Sequence, residues 1–549
     1  MNTDDPTAAP ASRSGRHPLA RRSSLLGGAG VVFAGSAAAL ITALAGSAAA
    51  SATITVDANG DGTADATHCT DGTVGNCTIR DAAAAAVDGD TIVFDPTIST
   101  ITLTNGQILM QAVNITGPGA ASLSITTTAA PGSYNVFRIT GSGDVVVSGL
   151  TVTKNRIAAL NGGKFTLDGV TISGSSAGWG GGALYADNAG LLEITDSRFE
   201  NNSCLYDGGA VNSYHGRETT ISGSTFLGNH SDGSGGALYS GWTDDLTITD
   251  SVFSGNTADG RGGALATPNG SAYVTSIINT TIDSNHADLS GGGIAVLYDN
   301  VVNISNTTIS NNTSAHGGGI DFAVSGIVAT IDNSTIAGND AAQGAGGIFL
   351  AGSSSLTMNQ STISANLARG TLANMGGGGI AIADNTSVMA MSGTIVSGNT
   401  SPITRFSDIA LYQYSGGNGS FTASNSIIGE LDSRITSSGT NIQNLSDPML
   451  GALADNGGPT KTMAPLPGSP AIDAGPDPVA TFTGNGFDQR GTPWLRVYNG
   501  TADIGAFEEQ PDPTPTTTTT TTEPTTTTTT EPTTTTTSGT DPVVPAFTG

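Results

Sequence analysis

A four-residue tag returns eight times between Leu192 and Asn399, and it leaves the chain few ways to fold. The tags are Phe199-Glu-Asn-Asn202, Phe226-Leu-Gly-Asn229, Phe253-Ser-Gly-Asn256, Ile282-Asp-Ser-Asn285, Ile309-Ser-Asn-Asn312, Ile336-Ala-Gly-Asn339, Ile363-Ser-Ala-Asn366 and Val396-Ser-Gly-Asn399. Their asparagine numbers differ by 27, 27, 29, 27, 27, 27 and 33. A period that tight predicts a solenoid. Two other columns keep phase with it. An apolar residue (Ile194, Ile221, Ile248, Ile277, Ile304, Ile331, Met358, Met391) precedes each asparagine by eight positions, and glycine pairs such as Gly208-Gly-Ala-Val211 and Gly235-Gly-Ala-Leu238 lie between asparagines.

The unit reads as a β coil. Its apolar residues come in short alternating runs such as Leu246-Thr-Ile-Thr249, bounded by Gly, Asn, Asp and Ser, which is strand and turn chemistry. No stripe at helical spacing runs through a repeat. Coils stacked in parallel at about 4.8 Å turn each column into a ladder: an aliphatic core, a stack of Phe199, Phe226 and Phe253, and asparagines bonded from coil to coil. Glycine pairs suit bends that need positive φ or close backbone approach. The predicted fold is all-β: a right-handed parallel β-helix of about 27 residues per coil, its hand following from the crossover rule.

The paired tags Phe-x-x-Asn and Gly-Gly-Ala-Leu/Val resemble the repeats of chlamydial polymorphic outer membrane proteins, β-helical surface adhesins, over roughly 171–399. More broadly, the coils are similar to the pectin-lyase-like β-helix superfamily. The resemblance implies a β-helix and an adhesive role.

Around the solenoid the chain divides into five parts. Residues 1–50 carry Arg13, Arg16, Arg21 and Arg22, then an apolar Ala/Gly-rich run and Ala48-Ala-Ala50, the order of a bacterial export signal; Arg21-Arg22-Ser-Ser-Leu-Leu26 resembles a twin-arginine signal. Residues 51–90 are expected to cap the solenoid, with a disulfide between Cys69 and Cys77 and a short helix opened by the capping box Thr78-Ile-Arg-Asp81. The run Cys77-Thr-Ile-Arg80-Asp-Ala also resembles the opening of bacterial secreted β-helix proteins. Residues 91–446 form the solenoid. Residues 447–510, with Asn456-Gly-Gly-Pro-Thr460, Asp488-Gln-Arg-Gly491 and Asp503-Ile-Gly-Ala-Phe-Glu508, resemble the bacterial choice-of-anchor Q domain and read as a loop-rich cap at the far end. Residues 511–549, almost only Thr with Pro and Glu, cannot bury a core and read as a disordered stalk.

Of 549 residues, 77 are Gly and only 11% are charged, with a net charge of −27. That balance argues against nucleic acid and anionic lipid as partners and favours cations and weakly charged glycans. The expected partner of this secreted or surface chain, taken as a monomer without a membrane span after export, is an extracellular polysaccharide or a neighbouring cell surface.

Four sets of residues bear on chemistry. Asp57, Asn59, Asp61 and Asp65 have the oxygen spacing of a calcium loop, although His68 stands where a bidentate Glu is expected; the alternative is a plain turn. Asp232, Asp259 and Asp288 each follow their asparagine by three residues, giving a carboxylate ladder with Asp207 nearby; it reads either as a cation or acid site or as solvated turn residues. His230 and His286 read as turn residues, and Cys204 as a buried one. Tyr185, Asp187, Asn212, Tyr214, His215, Tyr239, Trp242, Asp244, Asp245, Tyr298 and Asp321 fall along one face. Of these, Tyr185, Tyr214, His215, Tyr239, Trp242 and Tyr298 could stack on sugar rings; the alternative is an ordinary strand exterior.

The favoured function is therefore an adhesin or glycan binder. The alternative is a polysaccharide lyase or glycoside hydrolase using Asp244, Asp245 or the ladder, although lysine is scarce and no cluster matches the motifs of polygalacturonases or pectate lyases. A structural envelope protein is the third reading.

Overall fold

The computed structural model of the chain describes residues 51–511, leaving out 134, 161, 243–244, 268–272, 299, 324–325, 371–375, 384–385, 403–406, 412–419, 433–441 and 444. The expected export signal and all but the first residue of the stalk lie outside the described residues.

The described strands form four parallel sheets of 14, 14, 12 and 8 strands. Sheet A begins at Thr53–Val56, sheet B at Thr100–Leu103, sheet C at Ile108–Met110 and sheet D at Ser176–Ala177. One coil runs Leu191–Thr195 in sheet A, Arg198–Glu200 in sheet B, Ser203–Cys204 in sheet D and Val211–Tyr214 in sheet C, then returns to sheet A at Glu218–Ser222. This is the right-handed parallel β-helix that the repeat predicts. The N-terminal helix Ile79–Ala85 is opened by the reciprocal Thr78–Asp81 capping box, and Cys69 is bonded to Cys77.

Each sequence column becomes a ladder. Ile194, Ile221 and Ile248 stand in register and buried. Phe199, Phe226 and Phe253 stack with centroids 4.7 and 4.4 Å apart. The asparagines occupy the turn from sheet B to sheet D. Asn229 donates its backbone N–H and side-chain amide to Asn256 Oδ1, at 3.0 and 2.9 Å, and donates the same amide to the Phe199 carbonyl. The ladder runs donor to acceptor, so its last member needs only to accept. Asp408 fills that place, taking the backbone and side-chain N–H of Asn399 at 2.9 and 2.8 Å.

The glycine pairs meet both expected demands. The first of each, as at Gly208 and Gly235, has φ of +75° and +70°. At the second, a Cβ on Gly236 would lie 2.1 Å from the Gly263 carbonyl oxygen of the next coil, closer than real contacts allow.

Residues 447–510 depart from expectation: rather than closing only the end, they lie along the outside of sheet B. Sheet B presents Thr308, Thr335 and Thr362 in one register column. Thr308 bonds the Lys461 carbonyl and Gln489 at 2.5 and 2.9 Å, Thr335 donates to Gln489 at 2.6 Å, and Thr362 accepts from the Ala506 N–H at 3.0 Å. A segment poor in strands cannot extend the sheets, so its polar backbone is satisfied by this hydroxyl column. Asp488 pairs with Arg490, whose guanidinium lies 5.0 Å from the Trp494 ring and 3.7 Å from the Phe507 ring. The Asp488-Gln-Arg-Gly491 motif of this block thus holds its own packing together. Among the described residues no helix is long and apolar enough to cross a membrane.

Candidate functional site

Strands of sheet C alternate inward and outward. Leu184 and Ala186 face the core; Tyr185 and Asp187 face out. The register places Tyr185 beside Asn212 and Asn212 beside Tyr239, with Asp187 beside Tyr214 in the adjoining column. The turn from sheet D to sheet C rises as a wall and brings Trp179, Gly180, Tyr206 and Asp207 over these strands. Together they line a cleft of about 330 Å³. Trp179 and Tyr206 meet edge to face at 4.6 Å. Gly241 keeps the floor open, since a Cβ there would lie 2.5 Å from the Tyr239 ring and 3.1 Å from that of Tyr214.

The polar groups of the cleft are strongly held. Burial, with Asp187 alongside, pushes the Tyr185 hydroxyl up to about 12, and its proton goes to Asp187 at 3.1 Å. Burial likewise raises Tyr239. It also raises the Asp207 carboxyl, against the lowering effect of the Ser234 N–H, which donates to one of its oxygens at 2.8 Å. The cleft at neutral pH therefore offers protonated phenols, an amide at Asn212 and a sheltered carboxyl. That combination suits stacking on and hydrogen bonding to sugar rings.

Of the predicted glycan residues, Tyr185, Tyr214 and Tyr239 meet in this cleft. His215 stands at its edge, its Nδ1 3.2 Å from Asp187. Trp242 and Tyr298 are exposed and do not line it. Trp179, Tyr206 and Arg156 were missed, because they precede the strict period or lie in the turn. Arg156 lies 5.2 Å from the Tyr185 ring.

The other predicted sets come out differently. Asp244 lies outside the described residues. Asp245 opens the sheet A strand Asp245–Thr249 and accepts the Val274 N–H at 2.9 Å, so it belongs to another face. The carboxylates of the expected calcium loop each accept from protein donors. Asp57 takes the N–H groups of Gly75 and Cys77, Asp65 the N–H and hydroxyl of Thr67, and Asp61, its side chain covered, takes Arg80 at 2.6 Å with the Thr104 and Asn105 N–H groups. Asn59 is exposed in the same segment.

The ladder forms with histidines in it. His230 Nε2 lies 3.0 Å from Asp232 and His286 Nε2 2.9 Å from Asp288, and each Nδ1 meets a threonine on the next coil. His230, Asp232 and Asp259 bring ligand atoms within 4.8 Å of one another. An imidazole in the set suits a transition-metal ion better than calcium, which takes oxygen ligands. Cys204 is buried, and burial raises the pKa of its thiol.

The fold and cleft together define a β-helix protein with an aromatic-lined cleft on one face. The chain matches the family described as right handed beta helix region over residues 71–253 and 238–428. It belongs to that family. No curated protein matches. Among solved structures it is similar to the catalytic domain of Agl-KA, at 16% identity and a TM-score of 0.32, covering 67% of this chain and 64% of that one. It is also similar to the A-module of the Azotobacter vinelandii mannuronan C-5 epimerase AlgE6, at 12% identity and 0.33, covering 65% and 93%, and to a PL6 alginate lyase in complex with a trisaccharide, at 13% and 0.35, covering 75% and 91%.

Proposed function

We propose that the chain is an exported protein that binds an extracellular polysaccharide in the cleft on sheet C. The observation that carries this reading is the convergence of Trp179, Tyr185, Tyr206, Tyr214 and Tyr239 on one cleft, in a chain with only 3 Trp and 10 Tyr. Aromatic faces stack on the apolar faces of sugar rings, and the sheltered Asp207 and Asn212 take hydroxyl groups. A surface adhesin is this same activity on a cell-bound glycan; the adhesin-like repeats and the Thr-rich stalk support it. The test is electrophoresis of the full chain through gels containing neutral or acidic polysaccharides. Retardation by one of them that is lost in Trp179→Ala and Tyr239→Ala supports the reading. Migration unchanged across the panel refutes it and favours the envelope-structural role.

One observation favours a second reading as a hydrolase or lyase. A carboxyl raised by burial inside a sugar-sized cleft is what a general acid requires, and Asp207 fits that role where Asp245 does not. New reducing ends that vanish in Asp207→Asn would establish it. Metal dependence belongs to the corner of His230, Asp232 and Asp259, and dialysis against a chelator before either assay tests it.

A further inference from the structure

Beside the aromatic cleft, across Trp179, lies a second cavity of about 220 Å³. Arg156, Gln107, Asn135, Ser133 and Ser176 supply its polar lining, and none of its lining residues is acidic. Acidic residues outnumber basic ones in this chain by 45 to 18, so a sheltered cation has partners to spare. The other sheltered arginines have them: Arg80 pairs with Asp61, Arg490 with Asp488, and Arg496 lies in the field of Asp488, Glu508 and Asp503. Arg156 forms no ion pair among the described residues. Its Nη1 donates to the carbonyls of Trp179 and Gly180, and its Nε to Asn135 Oδ1 at 2.9 Å. Its Nη2 has no partner among the described residues. Desolvation lowers its pKa, with Cys204 and Tyr185 opposing the shift only in part.

The neighbouring amides are turned the same way. Because Asn135 Oδ1 is taken by Arg156, its Nδ2 donates to Gln107 Oε1 at 3.2 Å, which leaves the Gln107 amide N–H groups without an acceptor among the described residues. The cavity thus presents the Nη2 amino group of Arg156, an amide and two hydroxyls. A guanidinium nitrogen gives a carboxylate a charge-assisted hydrogen bond.

We propose that this cavity is a subsite for the carboxylate of a uronic acid residue, next to the aromatic cleft that holds the neighbouring sugars. The inference rests on the cleft being a glycan site. It narrows the ligand to acidic polysaccharides, against what net charge alone suggests. The negative field of the surface is screened beyond about 8 Å at physiological salt, and the local charge of the cavity decides what enters.

The test is titration calorimetry of the full chain with tetrasaccharides of galacturonate, mannuronate and glucuronate, each paired with its carboxyl-reduced twin. The twins differ only in the carboxylate. At least one uronide should bind about tenfold tighter than its twin, the gain of a charge-assisted contact. Ser133→Asp places a competing carboxylate in the cavity from an exposed position and leaves the bonds of Arg156 intact. It should bring the ratio to about one. Arg156→Gln should do the same where it folds. Equal binding of both twins by the wild type, or a preference that survives Ser133→Asp, overturns the subsite and leaves the cleft reading standing. Binding of none of the six, together with no retardation by any polysaccharide, overturns both.

Discussion

Replacing Asn256 by alanine removes one rung of the ladder that joins the coils. Its side chain takes part in four hydrogen bonds. Nδ2 donates to the Phe226 carbonyl at 3.0 Å and to Asn285 Oδ1 at 2.9 Å, while Oδ1 accepts the backbone and side-chain N–H of Asn229 at 3.0 and 2.9 Å. Alanine leaves two groups without partners: the Asn229 backbone N–H and one N–H of its amide. Asn229 is fully buried, so water cannot take over. An orphaned buried group costs about 1–3 kcal/mol, and single substitutions rarely exceed about 4–5 kcal/mol; the expected loss is about 3–5 kcal/mol. Urea denaturation followed by circular dichroism measures it. Because a solenoid coil contacts only its neighbours, hydrogen exchange should speed up first around 226–229 and 253–257. A loss under about 1 kcal/mol, or one with no local change in exchange, would refute the ladder as the link between coils.

Three further outcomes follow from the same geometry. Gly236→Ala, whose Cβ would meet the Gly263 and Thr257 carbonyls at 2.1 and 2.5 Å, should prevent folding or cost more than about 3 kcal/mol, while Gly486→Ala, in open space, should leave the urea midpoint unchanged. Burial holds Asp321 protonated up to about 7 against an ordinary value of 3.8, with Ser290 and Arg261 opposing the shift only in part. Its folded pKa lies above the unfolded one, so its contribution to stability is full below pH 3.8 and is lost as pH rises to 7; Asp321→Asn should therefore raise the urea midpoint at pH 8 and match the wild type near pH 4. Reducing Cys69–Cys77, which closes a loop of 8 residues, should cost about 2–3 kcal/mol, seen as faster exchange confined to the N-terminal cap.

The period carried most of the fold, because each column repeats where the physics repeats. The asparagine, phenylalanine and glycine columns have one role on every coil. The same register made half of the site legible: Tyr185, Asn212 and Tyr239 are spaced by 27 residues and so stand in one outward column. The rest had no local signal. Arg156 and Trp179 come before the period is strict, and the direction of a turn cannot be read from its composition. The spacing of Asp57, Asp61 and Asp65 suggested a metal loop, yet Arg80, 19 residues beyond Asp61, takes the central carboxylate. His230 lies two residues before Asp232, and only the turn brings its ring to the carboxylate. The packing of 447–510 against sheet B depends on contacts such as Thr308 with Lys461, 153 residues apart, which no pattern along the chain announces.

The most direct test of the glycan cleft uses its own tryptophan. With Trp242→Phe and Trp494→Phe combined, Trp179 is the sole reporter at the cleft wall, and titration with a polysaccharide that retards the full chain should shift or quench its emission saturably, at the concentrations that give half-maximal retardation. Retardation with unchanged Trp179 emission would place binding elsewhere and contradict the account.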